Sequence, residues 1–249
     1  MRVLVVNCNT STAMTRGIEA VARAAARPGT DVVAVQPSWG VESAEGYYDS
    51  FISAAAVLDL LSTTAERFDA VVMAGFGEHG REGARQLLRV PVVDITEAAA
   101  QLACLLGSRY GVVTTVPQAV APVRDSLRTA GLLERCAGVR ACDIGVLALD
   151  DDMARTADSL AVEGRRLLAE GADVLVLGCA GMGGLDARLE AVLGVPVVDG
   201  VAAAVALAEA LVGLGKRTTA AGPYTPPAAK HRPGWPAALA ALTAPAPTR

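Results

Sequence analysis

Short apolar runs recur along the chain and alternate with longer stretches of helical spacing. The runs at 3–6, 31–35, 70–74, 90–94, 110–116, 174–177 and 195–198 are near-continuous in Val, Leu and Ala, the pattern of strands buried on both faces of a parallel sheet. Between most of them, 15–26, 54–67, 97–106 and 153–169 are rich in Ala, Leu, Arg and Glu and read as helices. This alternation predicts the α/β class, with helices on both faces of a parallel sheet. One stretch stands out: GADVLVLGCAGMGG, residues 171–184. Its apolar run ends at Gly178 and Cys179, so the thiol is expected at a strand's carboxyl end, where open α/β sheets place their ligands. The backbone N–H groups of Ala180, Gly181 and Met182 are expected at the start of the next helix, forming an anion site. Such a site lowers a thiol's pKa from its free value of about 8.5. The competing reading is a buried core thiol, since free Cys is among the most buried residue types.

The chain also repeats itself, which bears on every local motif. FDAVVMAGFGEHGREGARQLLRVPVVD, from Phe68, is echoed by GADVLVLGCAGMGGLDARLEAVLGVPVVD, from Gly171; the echo sets Asp69 against Asp173 and Gly75 against Cys179. Upstream, RVLVVNCN from Arg2 lies against RYGVVTTV from Arg109, pairing Asn7 with Thr114 and Cys8 with Thr115. The expected architecture is two similar parallel-sheet α/β halves related by a pseudo-twofold, with the active site in the cleft between them. The division predicted is 1–106 for the first half and 107–200 for the second. Residues 201–220 form a C-terminal helix returning to the first half. A Pro/Ala-rich segment, 221–249, reads as an ordered strap that frays after Thr243.

Composition narrows the classes further. With 249 residues, 52% apolar, 19% charged and only 4% aromatic, the chain is long enough for a sizeable core of small side chains. A net charge of −4 offers no basic footprint for nucleic acid. No apolar stretch approaches the roughly 20 residues of a membrane span, and the short apolar start does not read as a signal sequence. A cytoplasmic protein is expected. Five cysteines at irregular spacing, with neither CxxC pairs nor Cys/His clusters, support neither a disulfide framework nor a zinc site.

Paired strand ends facing one ligand suit proton transfer to and from a carbon acid, and thiols near neutrality serve as acid and base. On the motifs NCNTST, GFGEHG and GCAGM with GVPVVD, the sequence resembles the aspartate/glutamate racemase superfamily, within it the hydantoin and allantoin racemase branch. The resemblance covers roughly residues 1–225. It implies a cofactor-independent, metal-free racemase or isomerase that acts on a small molecule, forms a homo-oligomer and uses Cys179 for proton transfer. The branch's motifs read NPNTS and CFGDPG, so this chain has Cys8 for proline and Gly75 for the first catalytic cysteine. His79, with an unperturbed pKa near 6.5, and Cys8 are the candidates to replace the missing base. The resemblance places Gly75, Phe76, Thr114 and Thr115 around the substrate; Asn9, just past the first strand, is read as a ligand contact with helix N-capping as the rival, and the Ala180 and Gly181 N–H groups complete the set. Arylmalonate decarboxylase, a one-thiol relative with glycine at the first position, supplies the alternative reaction. In that reading Thr114, Thr115 and the Phe76 amide hold an enolate-like intermediate.

The remaining features have simpler expectations. Ser11 and its neighbours suit a helix N-cap, as do Asp94 and Asp199 in the repeated VPVVD. Glu78 is read as a loop anchor, and Met73 and Met182 as packing. Tyr47 and Tyr48, in EGYYDSF, are candidates to line or cover the cleft. Three other classes remain open. The glycine motifs are not GxGxxG with a ribose-binding acid, so a nucleotide enzyme is disfavoured; a Cys–His hydrolase, with only His79 and His231 available, would need His79 across the cleft; and a non-catalytic binding homologue would have lost one of two catalytic groups.

Overall fold

The computed structural model describes residues 1–64 and 67–228. His231 and most of the Pro/Ala-rich segment therefore lie outside the described residues. The first half contains β1 (Arg2–Asn7), α1 (Thr12–Ala25), β2 (Asp31–Val35), α2 (Tyr47–Thr63), β3 (Ala70–Ala74), α3 (Arg81–Leu87), β4 (Val92–Asp94) and α4 (Ile95–Leu106). The second repeats the series with β5 (Tyr110–Thr114), α5 (Val120–Thr129), β6 (Cys136–Ala141), α6 (Met153–Ala169), β7 (Val174–Leu177), α7 (Asp186–Leu193), β8 (Val197–Val198) and α8 (Gly200–Gly213). Each half has one four-stranded parallel sheet, ordered β2-β1-β3-β4 and β6-β5-β7-β8. Corresponding strands occupy corresponding places, the architecture that the repeated sequence predicts.

Four elements escaped the hydrophobic pattern: α3, α5, β6 and α7. β6 is an edge strand, and only Val139 in CAGVRA is buried, so it lacks the apolar run of a central strand. α3 and α7 are only seven and eight residues long, with too few turns to display a period. Strand starts also shift. The runs predicted from 90 and 195 begin pairing at Val92 and Val197, because Pro91 and Pro196 accept ladder bonds from Val71 and Leu175 but have no N–H to donate. The helix predicted at 15–26 begins at Thr12, where Ser11 accepts from the Met14 N–H; the one predicted at 54–67 begins at Tyr47 and ends at Thr63.

The helices that follow β4 and β8 cross between the halves. α4 packs against β7 of the second sheet, α8 packs against β3 and α1 of the first, and the two helices pack against each other. Their contact faces are Ala98, Ala99 and Ala103 on α4, and Val201, Ala204, Val205 and Ala208 on α8, all buried in one core shared by both sheets. Small side chains permit this close approach, which explains an alanine-rich, aromatic-poor composition. Asp94 and Asp199 cap these helices, accepting from Thr96 and Glu97 and from Ala202 respectively, the role predicted from VPVVD. Glu209 ties α8 to the α1–β2 turn, accepting from the Arg27 N–H at 2.9 Å and the Thr30 hydroxyl at 2.6 Å. No helix among the described residues is long and apolar enough to cross a membrane.

Candidate active site

The carboxyl ends of both sheets open into one cleft. β1 delivers Asn7, Cys8 and Asn9; β3 delivers Gly75, Phe76 and His79; β5 delivers Thr114 and Thr115; β7 delivers Gly178, Cys179 and Ala180. Eight of the nine predicted site residues are thus brought together; Gly181 sits beside them, its N–H 3.4 Å from the Cys179 sulfur. The cleft also contains Asn7, which sequence reasoning had only paired with Thr114, and Ala44, Ala119 and Val146, which it missed. Ala44 lies in a loop and Ala119 and Val146 in single 3-10 turns, too short to show a hydrophobic period, so nothing local marks them.

Cys179 stands at the end of β7, after Gly178. That glycine is required by packing: a Cβ there would lie 2.8 Å from the Val113 carbonyl oxygen, because β5 and β7 converge at this point. The residues after Cys179 form a single 3-10 turn, Ala180–Met182, rather than the start of a long helix. Met182 spends its N–H on the Cys179 carbonyl, Gly181 turns its own toward the thiol, and the Ala180 N–H has no protein partner among the described residues. The residue as a whole is only partly buried. Protein nevertheless surrounds it so closely that burial pushes its pKa up to about 11, against the smaller lowering from Gly181. The expected lowering is therefore reversed: one weak N–H contact does not offset desolvation of the thiolate.

On the facing side, Gly75 leaves no vacant space. A Cβ on it would lie 2.4 Å from His79 Cδ2, 2.7 Å from Cys8 Cβ and 2.9 Å from Cys8 Sγ. Three positions that depart from the NPNTS and CFGDPG motifs therefore meet at one point in space. Burial, with a smaller contribution from Cys179 across the cleft, pushes Cys8 up to about 12. His79 is 5% exposed, with Nε2 3.3 Å from the Phe76 carbonyl oxygen. That contact makes Nε2 the protonated nitrogen, and Nδ1 is buried without a partner. Burial lowers its pKa to about 4, so the imidazole is neutral at physiological pH.

Polar groups around these thiols divide into those already occupied and those free for a ligand. The Thr114 hydroxyl donates to the Gly178 carbonyl at 3.1 Å, whereas the Thr115 hydroxyl has no partner among the described residues. Asn7 holds Asn9 through its amide, donating to Asn9 Oδ1 at 2.9 Å. Asn9 Oδ1 also accepts from the Ser11 N–H at 3.0 Å, and its own amide reaches only the Met14 sulfur at 3.2 Å. A thioether is a weak acceptor, which leaves the Asn9 amide for a ligand carbonyl.

The first-motif loop is fixed from below. Glu78 accepts from the N–H groups of Gly80 and Arg81 at 2.8 and 2.9 Å, the anchoring role expected of it. Ser126, from the second half, donates to the Gly77 carbonyl at 2.9 Å and accepts from the fully buried Arg81 at 3.1 Å. Above the cleft, Glu45 crosses between halves to accept from the Val146 N–H at 2.8 Å. Tyr47 and Tyr48 do not line the cleft. They are exposed at the start of α2, and the Tyr47 hydroxyl bonds to Asp125; the residue that reaches the cleft from this loop is Ala44.

Residues 3–208 match the Asp/Glu/hydantoin racemase family model. The chain belongs to this family. It is 39% identical over 236 residues to a hydantoin racemase from a Pseudomonas species, spanning 94% of this chain and 95% of that one. Among solved structures, the allantoin racemase of Pseudomonas fluorescens is 47% identical, with a TM-score of 0.92 over 94% of this chain and 100% of that one. Arylmalonate decarboxylase shares the fold, at 21% identity and a TM-score of 0.57 over 94% of this chain and 97% of that one. The protein is thus a racemase of the Asp/Glu/hydantoin racemase family.

Proposed function

We propose that this racemase inverts the stereogenic ring carbon of a 5-substituted hydantoin, with allantoin the first substrate to try, and that Cys179 transfers a proton on one face of that carbon. The observation that carries this reading is the position of Cys179, at a strand end facing the strand ends of the other half across one cleft. A hydantoin suits the site because its ring carbonyl delocalises the charge left when the adjacent carbon loses its proton. The carbonyl oxygen then gathers negative charge, and preorganised donors lower the barrier to that state. The Asn9 amide, the Thr115 hydroxyl and the Ala180 N–H are the donors free for this task. Burial keeps Cys179 a thiol at neutral pH, so it serves as the acid in one direction and, after losing its proton, as the base in the other.

A second reading follows from Gly75. With glycine at the first-motif position, Cys179 would protonate one face only, after loss of a carboxylate from a disubstituted malonate. Solvent-deuterium incorporation separates the two. The protein is incubated in D₂O with each enantiomer of allantoin, each enantiomer of a 5-alkyl hydantoin, and a disubstituted malonate. Racemisation puts label into both enantiomers of a hydantoin; the one-sided reaction labels a single product enantiomer and releases CO₂ from the malonate. Cys179→Ala abolishes turnover in either case. Turnover that survives in Cys179→Ala refutes both readings, and absence of turnover by the wild type on all of these substrates favours a non-catalytic homologue.

A further inference from the structure

We propose that Cys8 is the second proton-transfer group of this active site: the thiol that usually stands on the first half's third strand is here carried by its first strand, and Cys8 and Cys179 work on opposite faces of the substrate carbon. The proposal rests on the racemase reading of the same cleft. Its basis is the volume at Gly75. The Cys8 sulfur lies 2.9 Å from where a Cβ on residue 75 would be, so it occupies the space into which a side chain from that position would project. The repeat shows why the swap preserves two-sidedness. Residue 8 corresponds to Thr115 and residue 75 to Cys179, so each half presents one thiol at a strand end. In the first half that strand is β1, in the second β7. Both thiols line the one cleft, and Cys179 is near enough for its charge to bear on Cys8.

The other candidates fit the role less well. His79 has its Nε2 proton engaged by the Phe76 carbonyl, and a neutral, buried imidazole is neither a ready acid nor a strong base at working pH. Its ring packs at the Gly75 point and holds Cys8 against the cleft, which makes it a positioning residue. The Thr115 hydroxyl is better used as a donor than as an acid or base, since alcohols ionise far above neutrality. In the reaction, Cys8 first gives its proton to solvent through the cleft, and the thiolate so formed takes the hydrogen of the ring carbon; the C–H bond breaks, an S–H bond forms, and the electron pair moves to the neighbouring carbonyl oxygen. The Cys179 thiol then gives its proton to the opposite face, the oxygen's charge returns to carbon, and Cys179 is left as thiolate. The reverse direction exchanges the roles, so no oxidant, reductant or added base is consumed.

The test is exchange of the ring-carbon hydrogen in D₂O, followed by NMR and chiral separation, with an enzyme-free control subtracted, for each enantiomer of allantoin and of a 5-alkyl hydantoin. Cys8→Ser and Cys8→Ala are compared with Cys179→Ser and with His79→Asn, each first checked for a folded circular-dichroism spectrum and cooperative melt. Loss of one positioned acid or base is expected to cut racemisation at least about 100-fold. In the Cys8 variants, one enantiomer still exchanges its hydrogen with retention of configuration through Cys179 while the other does not. Cys179→Ser shows the opposite preference, and His79→Asn slows the reaction but leaves exchange two-sided. Racemisation by Cys8→Ser and Cys8→Ala within about 5-fold of wild type overturns the proposal, and so does equal loss of exchange in both enantiomers. If only His79→Asn turns exchange one-sided, the second group is His79. If wild type exchanges neither compound, the racemase reading fails and the proposal with it.

Discussion

Adding one methyl group at Gly75 tests the arrangement on which the site depends. In Gly75→Ala the new Cβ would have three heavy atoms within 3.0 Å: His79 Cδ2 at 2.4 Å, Cys8 Cβ at 2.7 Å and Cys8 Sγ at 2.9 Å. A rotamer change relieves only the sulfur. The Cys8 Cβ is fixed to the backbone where β1 ends, and the His79 ring is buried and tethered to the Phe76 carbonyl. Backbone or ring must therefore shift, and overpacking of this kind costs about 1–3 kcal/mol. For a chain of this length each kcal/mol lowers Tm by about 2–4 °C, so a fall of about 2–12 °C is expected, read by calorimetry or thermal circular dichroism. Because the collision is shared, combining Gly75→Ala with His79→Ala should recover part of the loss, with a coupling of about 0.5–3 kcal/mol in a double-mutant cycle. The catalytic readout should follow the steric one, since moving Cys8 withdraws its sulfur from the substrate carbon. A Gly75→Ala protein melting within about 1 °C of wild type, with no coupling to His79→Ala, refutes the claim that Cys8 and His79 fill this space.

Two further outcomes follow from buried charge. Burial holds His79 at about 4, below its ordinary value, so between these values the folded chain binds fewer protons here than the unfolded one; this contribution to stability is complete above about pH 6.5 and is lost as pH falls toward 4, by about 3 kcal/mol. His79→Asn should lack that slope, and urea melts at pH 7 and pH 4.5 showing equal acid sensitivity in the two proteins would contradict it. Arg81, fully buried, pairs with Glu82 at 2.8 Å, Glu78 at 3.1 Å, and Asp94 and Glu97 at 3.4 Å, and donates to Ser126 of the other half. Arg81→Met strands the buried Asp94 carboxylate and should cost about 3–5 kcal/mol, partly regained in Arg81→Met/Asp94→Asn; a loss under about 1 kcal/mol in denaturant melts refutes the network's role.

Much of this molecule was legible in its sequence because the relevant signals are local. A strand buried on both faces must be apolar along its length, so β1, β3, β5 and β7 announced themselves, and the repeated VPVVD announced both its strands and the Asp94 and Asp199 caps. Cys179 was legible for the same reason: the end of an apolar run is the end of a strand, and parallel sheets gather their strand ends on one side. β6, half-buried at an edge, and the short polar α3 carry no such signal.

The tertiary structure decided what depends on residues distant along the chain. That α4 crosses to the second sheet and α8 to the first follows from which small faces fit together, and hydrophobic period does not specify a partner. The direction of the Cys179 shift is a sum over all surrounding protein, and there desolvation outweighs the Gly181 N–H, the one of the three expected donors that reaches the thiol. Gly75 read by itself is a missing base. Only in three dimensions does it become room for Cys8, because excluded volume is a property of neighbours in space, and β1 and β3 lie side by side in the sheet while far apart in the chain.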